Sequence, residues 1–137
     1  MNRPPFLNNA VTNTLLQLVA AFATPSTSPS GQQGVPPFSN KEVMNLAYQN
    51  VYNPNSSVVF LQYFDAASTG AVTLGTTKPL FSFAIPPSSS GSSGVLSESY
   101  PPDCRPSFKL GVVVAITSTQ QGAASPGSAC QLLAQFI

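Results

Sequence analysis

The side chains able to do chemistry in this chain are few and scattered. The acids are Glu42, Asp65, Glu98 and Asp103, and no two of them share a helical or strand face. Two carboxylates distant in sequence can still meet in a fold, as in a glycosidase. Here Glu98 and Asp103 lie in a Ser/Pro-rich stretch, and Asp65 ends an apolar run where a turn is expected. There is no His, so neither a Ser-His-Asp nor a Cys-His nucleophile can be assembled. Cys104 and Cys130 lack both His partners and a CxxC spacing, so they suggest neither a zinc nor an iron–sulfur cage. Gly91 and Gly94 sit in SSSGSSG, a linker composition without the strand, helix and Lys of a phosphate loop. The residues point to a protein that is not an enzyme and needs no cofactor or metal.

Composition narrows the partners. Charged residues are 7% of 137, against about 25% in an ordinary soluble domain. Five basic and four acidic groups leave a net charge of +1. Nucleic-acid affinity comes mainly from cations that neutralise phosphates, so no nucleic-acid partner is expected. No run approaches the ~18 apolar residues of a membrane-spanning helix, so no membrane partner is expected either. A hydrophobic fraction of 42% suffices for a core, and nine glycines with fourteen prolines imply many turns.

Two regions follow from the patterning. Residues 1–40 read as an N-terminal arm and linker, and residues 41–137 as one domain. In the arm, Pro4 and Pro5 fix an extended start. Val11, Leu15, Leu18, Val19 and Phe22 then recur at helical spacing behind Asn8 or Asn9 as a cap. Residues 23–40 are rich in Pro, Ser, Gly and Gln and read as a linker. A secretory signal is the rival reading, because Arg3 precedes an apolar stretch ending in Ala21-Phe22-Ala23, but Asn13 and Gln17 interrupt that stretch. A helix of about three turns is marginal alone in water. The arm is therefore expected to find another chain, through Pro4, Pro5, Phe6, Leu7, Val11, Leu15, Leu18 and Phe22.

Beyond residue 40 the pattern is short apolar runs between turns. Residues 41–49 (KEVMNLAYQ) read as a helical turn or an irregular lead-in. A strand begins at Val51 and Tyr52 and stops at the turn-forming Asn53-Pro54-Asn55-Ser56. Residues 58–64 (VVFLQYF) and 80–85 (LFSFAI) suit strands, the second ended by Pro86 and Pro87. Residues 108–117 (FKLGVVVAIT) read as one strand with Phe108, Leu110, Val112, Val114 and Ile116 on one face. Residues 130–137 (CQLLAQFI) fit a closing strand or a short helix. Residues 86–106 and 118–129 read as long polar loops. The fold class expected is all-β: an antiparallel β-sandwich, jelly-roll-like or Ig-like, preceded by an extended N-terminal arm with a short helix. On that strand order Cys104 and Cys130 stand too far apart for a disulfide, which implies two free thiols.

The order of NVYNPNSSVVFLQYFD (50–65), TLGTTKP (73–79), LFSFAIPP (80–87) and GVVVAITS (111–118) resembles small β-sandwich virion structural proteins of tailed bacteriophages, of the capsid cement or decoration type. The resemblance covers residues 50–137. The long arm before residue 40 and the insertion at 88–103 have no counterpart in it. It implies a protein on the outer capsid surface of the virion, assembled in the host cytoplasm. It would bind the major capsid protein and copies of itself, as a dimer or trimer, and bridge capsomers. A tail, fibre or baseplate adaptor is the nearest alternative. A carbohydrate-binding sandwich is a more distant one, and would need exposed tyrosines in one plane beside polar groups.

Overall fold

A computed structural model describes residues 7–19, 44–89 and 91–137. In chain order the strands are β1 (Leu7–Val11), β2 (Leu16–Val19), β3 (Met44–Tyr52), β4 (Val59–Asp65), β5 (Phe81–Ile85), β6 (Ser88–Ser89), β7 (Ser92–Ser93), β8 (Val95–Ser99), β9 (Ser107–Phe108), β10 (Val112–Thr117) and β11 (Cys130–Phe136), with a short 3-10 turn at Thr69–Ala71. All pairings among them are antiparallel. One sheet runs β1-β11-β3-β8, with β9 on the far end of β3; the second runs β2-β10-β4-β5; β6 and β7 form a separate hairpin. The two larger sheets share one core, with Val11, Val51, Leu132 and Phe136 from the first meeting Leu61, Tyr63, Val114 and Ile116 from the second. Tyr63, Phe81, Phe108 and Phe136 form a chain of ring contacts through it, with centroids 5.1 to 5.8 Å apart from ring to ring.

The N-terminal segment departs from the expected helix. Residues 7–11 and 16–19 are strands, and they pair with β11 and β10 in the two sheets. The apolar positions 11, 15 and 18 fit a helical period only because Val11 ends one strand, Leu15 follows the turn and Leu18 lies in the next strand. Within β1 the period is two: Leu7, Asn9 and Val11 are buried while Asn8 and Ala10 are exposed. The turn itself is set by Thr12, whose Oγ1 accepts the Thr14 N–H at 3.1 Å, and by Asn13, which donates to the Ala123 carbonyl. Residues 7–19 thus belong to the body of the fold, and a boundary at residue 40 does not separate them from it.

Three further readings are corrected. Residues 44–49 are strand, not lead-in: β3 is nine residues long, and an irregularity in its register with β11 near Ala47 breaks the alternation that would have marked it. Residues 108–117 are not one strand. Phe108 pairs with Met44 in the first sheet, Val112 with Asp65 in the second, and the chain crosses between them. Leu110, expected inside, is 55% exposed at that crossing. The Asp65 carboxylate holds the step by accepting the N–H groups of Lys109, Leu110 and Gly111. The third correction concerns 86–106, which is not a plain loop. Ser88–Ser89 pairs with Ser92–Ser93 in the β6–β7 hairpin, and β8 joins the edge of β3. Gly94 turns between them with φ +72°; a Cβ there would stand 2.5 Å from the Asn53 carbonyl oxygen, so only Gly fits. β4, β5 and β11 lie where their alternation places them, and β11 is strand rather than helix.

Asn53, fully buried at the end of β3, ties the sheets together. Its Nδ2 donates to the carbonyls of Ser57, Ile85 and Pro86, and its Oδ1 accepts from Asn55 N–H, Asn55 Nδ2 and the Cys130 thiol. Asn53→Ala should cost about 2–4 kcal/mol in chemical denaturation, because several buried groups lose their partner at once. Asn9 is the opposite case. It lies buried on the core-facing side of β1, and neither its Nδ2 nor its Oδ1 has a hydrogen-bond partner among the described residues. Asn9→Val should therefore raise stability, by about 1–3 kcal/mol; a loss of stability would show that the amide is satisfied in solution.

Candidate interaction surface

The two sheets present unlike outer faces. Every residue of β10 is buried, because the outer side of the second sheet is also covered. Phe64, Ala66, Val72 and Val113 form a small second core there, with Leu15 and Leu74 packed on it. Gln62 and Thr117 are buried on this sheet and bond each other at 2.7 Å, with Gln62 also reaching the Gly122 carbonyl.

Among the described residues, no element packs on the outer face of the first sheet. Alternation along four adjacent strands brings three cross-strand rows to it: Asn8–Leu133–Asn50–Ser97, Ala10–Gln131–Tyr52–Val95, and Gln135–Tyr48–Ser99. None of these positions is charged. Tyr52 is 41% exposed and Val95 39%. Tyr48 and Tyr52 stand on the same face of β3 with Asn50 between them, and the Tyr48 hydroxyl lies 3.4 Å from Ser97 Oγ. The surface therefore combines two phenol rings with amide and hydroxyl groups that both donate and accept. It can bind through shape, stacking and neutral hydrogen bonds, and it offers no acid, base or nucleophile.

The residues singled out in the sequence as a partner-binding arm fall elsewhere. Leu7, Val11 and Leu18 are buried in this chain's own core, and Leu15 packs on the second cluster. That corrects the expectation for these four: folding brings them together as packing inside the chain, not as a surface for a partner. Pro4, Pro5, Phe6 and Phe22 lie outside the described residues. The tyrosine surface was missed because Tyr48 lay in the stretch read as irregular and β8 in a stretch read as loop. A period-two reading of residues 48–52 would have placed both tyrosines on one side.

Among the described residues no group of three or more His, Cys, Asp or Glu side chains gathers as a metal site. Among them, too, no helix is long and apolar enough to cross a membrane. Comparison of the chain with protein-family models, with curated proteins and with solved structures gives no match.

Ionisable groups inside the fold serve packing. Tyr63 donates to Gln49 Oε1 at 2.7 Å, and Gln49 Nε2 donates to the Tyr100 hydroxyl at 3.2 Å, a chain that crosses the core. Burial holds the Tyr63 hydroxyl well above its usual range. Burial, with Glu98 nearby, pushes Tyr100 up to about 12. Both thiols are free, Cys104 exposed and Cys130 buried, and burial raises Cys130 to about 11. In the unfolded chain a thiol ionises near about 8.5. Between these values the unfolded state binds fewer protons than the folded one, so stability falls as pH rises. The thermal midpoint should be flat with respect to Cys130 below about pH 8 and fall towards pH 11, and Cys130→Ala should remove that part of the fall. A fall of unchanged shape in Cys130→Ala would assign it to the tyrosines alone.

Proposed function

We propose that the protein is a non-catalytic binding protein of a virion: a β-sandwich capsid cement (decoration) protein of a tailed bacteriophage, which binds the major capsid protein on the outer shell and bridges capsomers. The observation that carries this reading is the broad, uncharged, amide- and tyrosine-bearing face of the first sheet. A lattice component needs an adhesive surface on a stable β framework and no chemistry. Contacts of modest strength suffice, because repetition over a shell multiplies them. The order of motifs from residue 50 to residue 118 supports the same reading. With no charged side chain on the face, attachment depends little on ionic strength.

Stoichiometry of purified particles tests the proposal. A shell protein is present on the order of hundreds of copies per particle, whereas about six or fewer would place it at a tail, baseplate or fibre position. Tyr52→Ala should leave stability within about 0.5 kcal/mol and lower occupancy on particles, with little change between low and high salt. Wild-type occupancy in Tyr52→Ala would exclude this face as the attachment surface.

A second reading has its own observation. Half-buried Tyr48 and exposed Tyr52 share one face with Asn50, Gln131 and Ser97, the residue types of a neutral-carbohydrate platform, where phenol rings stack on sugar faces and amides bond hydroxyls. Retardation of the protein on a neutral polysaccharide gel, abolished by Tyr52→Ala, would favour it over the capsid reading.

A further inference from the structure

We propose that two copies of this chain associate by antiparallel pairing of β5 with β5 of the second copy, with Phe83 at the two-fold axis. The inference goes beyond the capsid reading and stands whether or not the protein binds a shell.

The strands at the ends of the sheets are β1, β8 and the two-residue β9 in one, β2 and β5 in the other, and β9 is too short to offer a ladder. β1 and β2 run next to residues outside the described set, so the comparison lies between β8 and β5. β8 carries a device that discourages pairing: Glu98 is half-buried on its inner side. β5 has no such charge. Its sequence, FSFAI, has no charge, no Pro and no bulge within it, and half-buried Phe81 and Phe83 lie along it. Two of the exposed large apolar residues flank it, Leu80 (47% exposed) before it and Val58 beside its end, just ahead of Val59, which pairs with Ile85.

The hydrogen-bond phase fixes what the open edge offers. The Ala66 N–H donates to the Gly111 carbonyl, which turns the even-numbered residues of β4 towards β10 and leaves Val59, Leu61 and Tyr63 to pair with β5. Ile85, Phe83 and Phe81 therefore direct their backbone groups to β4. Ser82 and Ala84 direct theirs away from β4, to the side where no described strand pairs. The next outward positions are closed on both flanks: the Leu80 N–H is bound by the Tyr63 carbonyl at 2.8 Å, and Pro86 has no N–H. The usable ladder is Ser82 and Ala84, and its two stops, residues 80 and 86, are symmetric about residue 83.

A second copy fits this edge better than an unrelated strand. Residues opposite one another in an antiparallel pair must face the same side, so only registers that match odd with odd keep Phe81, Phe83 and Ile85 on the core side. Of these, the register centred on Phe83 pairs Ser82 with the partner's Ala84, and Ala84 with the partner's Ser82. It sets Phe83 beside the partner's Phe83 and Leu80 opposite the partner's Pro86, near Val58. The pairing is isologous and closed, using one β5 edge from each copy, so it yields a dimer rather than a fibre. Lys78, the nearest charged residue in sequence, falls at the two far ends of the seam and meets no like charge.

Sedimentation of the full chain under reducing conditions, which keep exposed Cys104 from linking copies, should show a concentration-dependent dimer. Ala84→Lys puts a charge on each copy at an exposed edge position. It should raise the dissociation constant about tenfold or more while leaving the unfolding midpoint unchanged at concentrations where both chains are monomeric; Ser97→Lys on β8 should leave the dimer intact. In Ser82→Cys/Ala84→Cys/Cys104→Ser, paired positions about 5.5 Å apart should give a covalent dimer on mild oxidation, which tests the register without relying on Ala84→Lys. A wild-type chain monomeric at all concentrations would overturn the proposal. So would a dimer that survives Ala84→Lys, a dimer that only Ser97→Lys disrupts, or a dimer with no cross-link in the cysteine variant.

Discussion

The fold depends on joining two sheets at the point where β3 leaves one and β4 enters the other, and a single uncharged amide does this. Asn53 sits fully buried in that corner, with its Nδ2 held by carbonyls from the loop to β4 and the end of β5, and its Oδ1 by Asn55 and Cys130. Asn55 extends the junction to Ser128, ahead of β11, through a bond in each direction. An ion pair in the same place would have to overcome the cost of desolvating two charges. A neutral amide offers two donors and two acceptor sites at a smaller cost. In a chain with so few charges, amide and hydroxyl chemistry carries the connections between layers, as the line from Tyr63 through Gln49 to Tyr100 also shows.

A carboxylate stands at the opposite kind of junction. Asp65 ends β4 and gathers the N–H groups of residues 109–111 while the chain steps from the first sheet to the second. Those groups belong to neither sheet ladder, and an acceptor with several lone pairs can satisfy them together. The step places β10 centrally in the second sheet, buried on both sides. Burial on both sides in turn requires the cover formed by Phe64, Ala66, Val72 and Leu74. The outer faces differ as a result: loops of the described residues cover the second sheet, and no described element covers the rows of Tyr, Asn, Gln and Ser on the first.

Much of the fold was legible in the residues. Val59–Asp65, Phe81–Ile85 and Cys130–Phe136 are strands because their apolar residues alternate over whole segments, with Pro or Asn at their ends, and alternation is a local property that needs no partner. Scarcity of charge and absence of His likewise restrict chemistry without reference to any fold. What the tertiary structure decided is everything in which period two is interrupted or shared between layers. Leu7–Val11 and Leu16–Val19 mimic a helix because one turn shifts the phase between two strands. Met44–Tyr52 hides behind an irregularity at Ala47, and Phe108 to Val112 keeps an apparent alternation while changing sheets. Nor could spacing alone show that Tyr48 and Tyr52 share a surface with Gln131 and Ser97. The rows that bring them together are set by register between strands far apart in sequence, and register follows from how a whole face is buried.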